Sequence, residues 1–239
     1  MLGTVLLVAG ICWFVSAAVF LPIAESRDVQ PSTQSATPSL WSYLRPQFSD
    51  AVFVRYLLAR ILFLTTAMSA PYYVLLSGKA GVGSVMSLGL LILASGLAGL
   101  LSGAVWGKFA DSSSRRVWIF AAFGAALSGI VVSLLTVFFP SVTVQIWFIP
   151  LFYLFLEICH QGVRVGRKTY VVNAANDETR AAYVTASNTV VGLVLLLIGG
   201  VAAVFQNIAP HIMIAAFSML CLIGCLVASG LPEVEALAE

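Results

Sequence analysis

Charged side chains are scarce in this chain of 239 residues, where 12 lysines and arginines and 10 aspartates and glutamates make up 9% of the residues. Soluble domains carry about 25% charged residues, so this composition excludes an ordinary soluble domain. The net charge of +2 is not gathered on a basic face, and no nucleic-acid partner is expected. Hydrophobic residues make up 60% of the chain, which indicates an integral membrane protein embedded in a lipid bilayer.

Cysteine is also rare, and the four cysteines at positions 12, 159, 221 and 225 all lie in apolar stretches. Such positions fit neither a disulfide framework nor a zinc module. The apolar stretches lack HExxH, GxSxG and paired carboxylates, and Glu157 with His160 lacks the further ligands that a metal requires. We therefore expect no enzyme, no cofactor and no metal site.

Seven apolar runs are long enough to cross a bilayer as helices, which takes roughly 20 residues. We number them spans 1 to 7, and they lie near 2–22, 52–77, 82–107, 117–139, 143–165, 181–205 and 210–230. The predicted fold is an all-α integral membrane protein with seven transmembrane helices. Six of these, spans 2 to 7, are joined by short loops and should form one compact bundle.

Lysines and arginines are concentrated on one predicted side of the membrane. Eleven of the twelve fall in or beside alternate loops, and only Lys79 lies in a loop on the other side. Cytoplasmic loops carry the positive excess. The sequence therefore predicts a multi-pass protein of the cell (plasma or inner) membrane with its N-terminus outside and its C-terminus in the cytoplasm. Residues 1–20 could instead be a secretory signal peptide, but they lack the basic start that such a peptide needs.

A polar segment, 23–50, separates span 1 from the bundle and is rich in proline, serine, threonine and glutamine. This composition predicts a flexible cytoplasmic linker. Trp41, Leu44 and Phe48 near its end are favoured as an aromatic anchor before span 2, with an amphipathic interfacial segment as the alternative.

The most specific motif is the loop between spans 3 and 4, which runs Gly107-Lys108-Phe109-Ala110-Asp111-Ser112-Ser113-Ser114-Arg115-Arg116. It resembles the signature loop of the major facilitator superfamily, G-x-x-x-D-[RK]-x-G-[RK]-[RK]. Gly107, Asp111, Arg115 and Arg116 match in type and spacing. Serines replace a basic residue and a glycine at the two remaining positions, as often happens in the second copy of this motif, in the C-terminal half.

That family has twelve spans in two halves of six, joined by a long cytoplasmic linker. The present layout is similar to the family's sixth span (1–22), the linker (23–50), spans seven to twelve (51–232) and a cytoplasmic tail (233–239). The resemblance covers essentially the whole chain. It implies secondary active transport of a small solute by alternating access, with protons as a candidate coupling ion. It also implies a partner, either the missing N-terminal half or a second half-transporter.

In the family, the signature loop stabilises the outward-facing state. Asp111 is expected either to cap a helix N-terminus or to pair with Arg115, Arg116 or Arg180, whereas the plainer interpretation is that the arginines only set the topology.

Ionisable residues inside spans are costly and therefore mark candidate functional sites. Glu157 in span 5 is the clearest, and His160, Gln161 and Arg164 share its helix face. Arg60 in span 2 and Glu157 are both expected roughly 12–14 Å from the cytoplasmic ends of their spans, so a pair between them is a hypothesis. By resemblance these two spans line the central cavity.

Under this hypothesis Glu157 is a protonatable or substrate-facing group that Arg60 tunes. The alternatives are a permanent ion pair, or an arginine that extends to the interface.

Further cavity candidates are Tyr72, beside Pro71 in span 2, and Asn188 in span 6. The freed carbonyl before Pro71 is expected to be satisfied by the nearby hydroxyls of Thr65, Thr66 and Ser69.

Small residues four apart form a stripe on span 3, at Ser95, Gly99, Gly103 and Gly107, which predicts either close helix packing or a sliding contact. The segment between spans 5 and 6, from Arg164 to Arg180, is interpreted mainly as a solvated charged loop, with a short interfacial helix held by Tyr170 as the alternative.

Other seven-span classes are excluded, because span 7 has no lysine for retinal and the G-protein-coupled receptor motifs are missing. The remaining rival is a truncated or accessory half-transporter without transport activity of its own, since alternating access in the family needs two halves.

Overall fold

A computed structural model describes residues 10, 11, 14–16, 19, 45–79, 84–175, 177–204 and 208–235. The chain divides into two compact units, 1–39 and 40–239. The six described residues of the first unit are helical. The rest of predicted span 1 and residues 23–44 of the predicted linker lie outside the described residues. A seventh span and the linker therefore stay predictions.

The second unit contains only helices in its described part, with no strand. A 3-10 helix, Arg45–Ser49, precedes seven α-helices: α1 Ala51–Lys79, α2 Ser84–Ser112, α3 Ser114–Phe138, α4 Pro140–Thr143, α5 Phe148–Ala174, α6 Asp177–Val204 and α7 Pro210–Ser229. Six of them, all but the single turn α4, are long and apolar enough to cross a membrane. This is the pattern of a multi-pass membrane protein, and it confirms predicted spans 2 to 7 as helices.

Two predicted loops are helical instead. α2 continues to Ser112 and α3 begins at Ser114, so the signature loop is reduced to a break at Ser113. α5 runs to Ala174 rather than ending near 165, and Tyr170 near its end is fully buried. Charge marks where a span leaves the hydrocarbon but does not end the helix, and the 27 residues of α5 measure about 40 Å. The predicted charged loop between spans 5 and 6 is therefore wrong.

The helices pack in a pattern that repeats within the bundle. α1 packs on α7 and α3 packs on α5, while α3 meets α7 and α1 meets α5. α2 packs extensively on α5, and α6 packs less extensively on α1. Exchanging α1, α2 and α3 for α5, α6 and α7 therefore maps these pairs onto one another, although the neighbours α2 and α3 have no such counterpart in the described parts of α6 and α7.

Aromatic side chains fill the core at the end of the bundle where α2 meets α3, which we call the basic end because Arg115 and Arg116 lie there. Trp118 is fully buried at the centre. Its ring centroid lies 5.1 Å from that of Phe63, 5.4 Å from that of Tyr56 and 6.1 Å from that of Tyr170. These rings join α1, α3 and α5. At the edge, Phe48 packs edge-on against Phe53 of α1, and the membrane-anchor role predicted for Trp41, Leu44 and Phe48 stays a prediction.

α5 packs closely on its neighbours at two glycines. A Cβ on Gly166 would lie 2.8 Å from backbone atoms of Trp118, and a Cβ on Gly162 would lie 2.5 Å from the indole of Trp106. By contrast, a Cβ on Gly99, Gly103 or Gly107 of α2 would meet no atom within 4 Å in the described part of the chain. The tight packing expected of the α2 stripe is thus found at α5.

α1 continues through Pro71 without interruption. The hydroxyls of Thr65 and Thr66 donate to the carbonyls of Leu62 and Phe63, and Ser69 donates to the carbonyl of Thr65. These hydroxyls bond within their own turns, so the expectation that they satisfy the carbonyl freed by Pro71 is wrong.

Candidate functional site

Arg60 is the most deeply buried charge of the described bundle, with 7% of its surface exposed. Its Nη2 donates to Oδ1 of Asn188 at 2.6 Å, and its Nη1 donates to Oγ of Ser187. Its Nε is buried and has no hydrogen-bond partner among the described residues. Both partners lie on α6 and are neutral, so neither compensates the charge.

The register of α1 against α5 is fixed by a contact between Thr66 Oγ1 and His160 Nδ1, 2.9 Å apart. The two helices are antiparallel, since α1 begins and α5 ends at the basic end. Arg60 lies six residues before Thr66, which places it level with Gly166 of α5.

Arg167, which is half-buried, therefore lies beside Arg60. It follows His160 by seven residues and therefore shares the face of α5 that contacts α1, so its charge is expected to act on Arg60 and on the Tyr56 hydroxyl. We call Tyr56, Arg60, Arg167, Ser187 and Asn188 the Arg60 cluster.

Glu157 does not join this cluster. It is half-buried, interacts with Tyr153 one turn away and is influenced by the charge of Arg164. Because α5 continues to Ala174, Glu157 lies about 26 Å from the basic end of its helix, whereas Arg60 lies about 13 Å from that of α1. The predicted pair is therefore not formed, since the two side chains are separated by about 12 Å along the bundle.

The remaining predicted cavity residues are dispersed. Arg164 is exposed and donates to Oε1 of Gln161 at 3.2 Å. Tyr72 stacks edge-on with Phe217, with ring centroids 5.5 Å apart. The structure thus brings Arg60 and Asn188 together and places His160 on the adjoining part of α5, but leaves Tyr72 elsewhere.

The arginines of the signature motif bind the end of the chain. Arg115 Nη2 and Arg116 Nε lie 2.8 and 3.2 Å from Oε1 of Glu233, the only ion pairs among the described residues. Ser113 donates to the other oxygen of Glu233 at 2.7 Å. Gly107 has no packing partner there, and the side chain of Asp111 lies outside the described residues. The predicted role of Asp111 therefore stays untested.

Glu235 completes this arrangement at the first turn of α3. Its Oε1 accepts the backbone N–H of Ser114 at 2.8 Å, and Ser113 caps the helix by accepting the N–H of Arg116. Two arginines in a first turn oppose the helix dipole, and two carboxylates at the same place offset them. We call Ser113, Ser114, Arg115, Arg116, Glu233 and Glu235 the tail clasp.

Sequence reasoning missed both glutamates because it assigned residues 233–239 to a cytoplasmic tail and gave them no partner. The available signal was a pair of acidic residues two positions apart directly after span 7, at the same membrane side as the two arginines. Acidic and basic groups on one side of a compact bundle are expected to meet.

The clasp should open at acidic pH. Burial raises the pKa of the Glu233 carboxyl, but hydrogen bonds from Ser113 and Arg115 and the charges of both arginines outweigh burial and hold this pKa below its ordinary value. Burial also raises the pKa of the Glu235 carboxyl. Hydrogen bonds from Ser114 and Asn173 outweigh burial, so this pKa too lies below its ordinary value. A lowered pKa stabilises the docked tail above roughly pH 4.3, the ordinary value for glutamate, and this stabilisation is lost as the pH falls through the folded-state value.

We therefore predict that a nitroxide attached at Pro232→Cys, an exposed position beside Glu233, is immobile at neutral pH and becomes mobile in acid, as measured by electron paramagnetic resonance. In a Glu233→Gln, Glu235→Gln background the label should be mobile at both pH values. A label that stays immobile in that background would show that the carboxylates do not hold the tail.

Comparisons of the chain with protein-family models, with curated proteins and with solved structures gave no match. No group of three metal-binding side chains occurs in the part of the chain that the structure describes.

Proposed function

We propose that this chain forms the C-terminal half of a secondary transporter of the major facilitator type, moving a small solute by alternating access. The Arg60 cluster carries the proposal. A charge buried within membrane-spanning helices is costly, and its usual place is a solute or ion pathway. Arg60 meets this description because it is buried between α1 and α6, with the exposed Asn188 beside it.

The packing pattern supports the proposal. Helices α1 to α3 and helices α5 to α7 form two repeats of three spans each. Because each repeat crosses the membrane an odd number of times, the second repeat has the inverted orientation, and many transporters are built on such inverted repeats. α1 and α5 are the equivalent helices of the two repeats and face each other. They carry Arg60 and Arg167 respectively.

The partner in this proposal is a second six-helix half. The small-residue face of α2 at Gly99, Gly103 and Gly107 has room for another helix, because no described atom lies within 4 Å of where their side chains would begin. Such faces suit helix association in lipid, where close backbone approach provides the attraction.

The tail clasp fits the role that the resemblance gives to the signature loop. It joins the end of α7 to the start of α3 and to α5 through ion pairs and hydrogen bonds that a shift of a few ångströms would break. Each exposed pair is worth about 1 kcal/mol or less, so the clasp can bias one conformation without locking it.

Thiol accessibility tests alternating access without knowledge of the solute. Thr185 is exposed on α6, one turn from Asn188, and Phe120 is exposed on the apolar outside of α3. In native membranes of the full-length protein, Thr185→Cys should react with a charged, membrane-impermeant thiol reagent added from either side. The control Phe120→Cys should react from neither side, since lipid excludes the reagent. Reaction of Thr185→Cys from one side only would contradict alternating access.

Glu157 is the proposed proton-carrying group, because it is the one described carboxylate within the spans away from their ends. We expect the ratio of the Thr185→Cys reaction rates from the two membrane sides to change between mildly acidic and neutral pH, with reaction from both sides at each pH. Glu157→Gln should abolish this dependence, with Glu233→Gln as the matched control that retains it. A pH dependence that survives Glu157→Gln would exclude Glu157 as the coupling group.

The second candidate is an accessory or truncated half without transport activity. The open face of α2 also fits this candidate, because a half that only pairs with another protein would present the same surface. One-sided reaction of Thr185→Cys is its expected result.

A further inference from the structure

The Arg60 cluster carries positive charge that no described carboxylate balances. Arg60 makes its two hydrogen bonds to neutral groups, and the ion pairs of the described residues all involve Glu233 at the basic end. The carboxylate of Asp50 accepts hydrogen bonds from the hydroxyl of Tyr183 and the N–H of Val52. Asp177 and Glu178 begin α6, about 14 Å along the helix from Ser187. A buried cation needs a counter-charge, so the cluster is electrostatically incomplete.

A second cation makes this imbalance larger. Arg167 of α5 lies beside Arg60, and Arg164 lies one turn away on the same helix. Like charges brought together in a low-dielectric site repel each other unless an anion lies between them. Two guanidinium groups approaching from facing helices are a suitable arrangement for an oxyanion, which their N–H groups bind with two oxygens at once.

We propose that the solute carries an oxyanion, a carboxylate or phosphate group, which binds between Arg60 and Arg167. The anion enters beside the exposed Asn188 and accepts a hydrogen bond from Nε–H of Arg60, which has no partner among the described residues. It also replaces the amide oxygen of Asn188 as the acceptor for Nη2 of Arg60. The hydroxyl of Tyr56, which lies beside Arg60, provides a further donor. Asn188 thus holds Arg60 in place while the site is empty.

This assignment deepens the proposed transport function and rests on it. The test is equilibrium binding of radiolabelled inorganic phosphate and acetate to the full chain in lipid nanodiscs, with tetramethylammonium as a cationic probe. One of the two anions should bind and the cation should not, and the anion that binds shows which oxyanion the site takes. Arg60→Gln should weaken binding by roughly tenfold to a hundredfold, the range for a lost charge-assisted hydrogen bond.

The matched control is Lys168→Gln, which removes the same charge from an exposed position on α5. It should leave binding unchanged, whereas Arg167→Gln should weaken it without removing a bond to α6. The Arg167 variant keeps the test valid if Arg60→Gln fails to fold.

Equal anion binding by Arg60→Gln, Arg167→Gln and the control, or binding of the cation alone, would overturn the inference. If either of these binding results is found and Thr185→Cys still reacts from both sides, the oxyanion assignment is wrong but the proposed transport function is retained. One-sided reaction would overturn transport itself, whatever binds.

Discussion

Replacing Gly166 by leucine is expected to destabilise the bundle more than any other single change at a glycine. The new Cβ would lie 2.8 Å from backbone atoms of Trp118, and a helix backbone cannot move aside as a flexible side chain can. Separating α3 from α5 also disturbs Trp118, the centre of the aromatic core. We expect a cost of roughly 3 kcal/mol, at the upper end for overpacking, and a fall in Tm of roughly 10 °C for protein in nanodiscs.

Gly103→Leu is the matched control, because the same side chain is added where no described atom lies within 4 Å. Its Tm should stay within about 2 °C of the original. If the proposed second six-helix half packs on α2, Gly103→Leu should also block association with that half while leaving the Tm of the isolated bundle unchanged. Equal losses of Tm for the two variants would show that α5 does not form the close crossing.

Trp118→Ala is expected to have the second large effect. Trp118 is fully buried and contacts rings on α1 and α5, so its removal leaves a cavity where three helices meet. Large-to-small changes of a buried tryptophan cost about 3–5 kcal/mol. The expected result is a fall in Tm of roughly 10 °C or more, measured by the loss of monodisperse protein on heating.

The control is Phe120→Ala, two residues along α3, where the ring is 65% exposed. A side chain that faces lipid has no protein neighbours to lose, so the cost should be below about 1 kcal/mol. A large loss of stability at Phe120 and a small one at Trp118 would mean that α3 presents the opposite face to the bundle.

The six described spans were predictable because apolar length is a local property that hydropathy reports directly. The residues at which these spans end were less predictable. α5 extends nine residues past the predicted end at 165, and in this extension the buried Tyr170 donates a hydrogen bond to the carbonyl of Pro232. That extension changes the depth of Glu157 and removes its predicted pair with Arg60.

The partners of the site residues were not predictable from spacing. Arg60 and Asn188 were each expected to lie in a cavity, yet only tertiary packing shows that one binds the other. Glu233 was assigned to a cytoplasmic tail without a partner, because two acidic residues after a span indicate a contact only once the start of α3 and the end of α7 are known to meet. The glycine stripe of α2 was noticed, whereas Gly162 and Gly166 were not, although they show the same spacing of four.

The most direct test of the central claim, that this bundle works as one half of a transporter, is the mass of the particle that contains it in native membranes. Native mass spectrometry after detergent-free extraction, with an antibody against residues 233–239 for capture, gives this mass. The account predicts about twice the 25.4 kDa of the chain, as one longer polypeptide or as two associated halves. A lone particle of 25.4 kDa would contradict it.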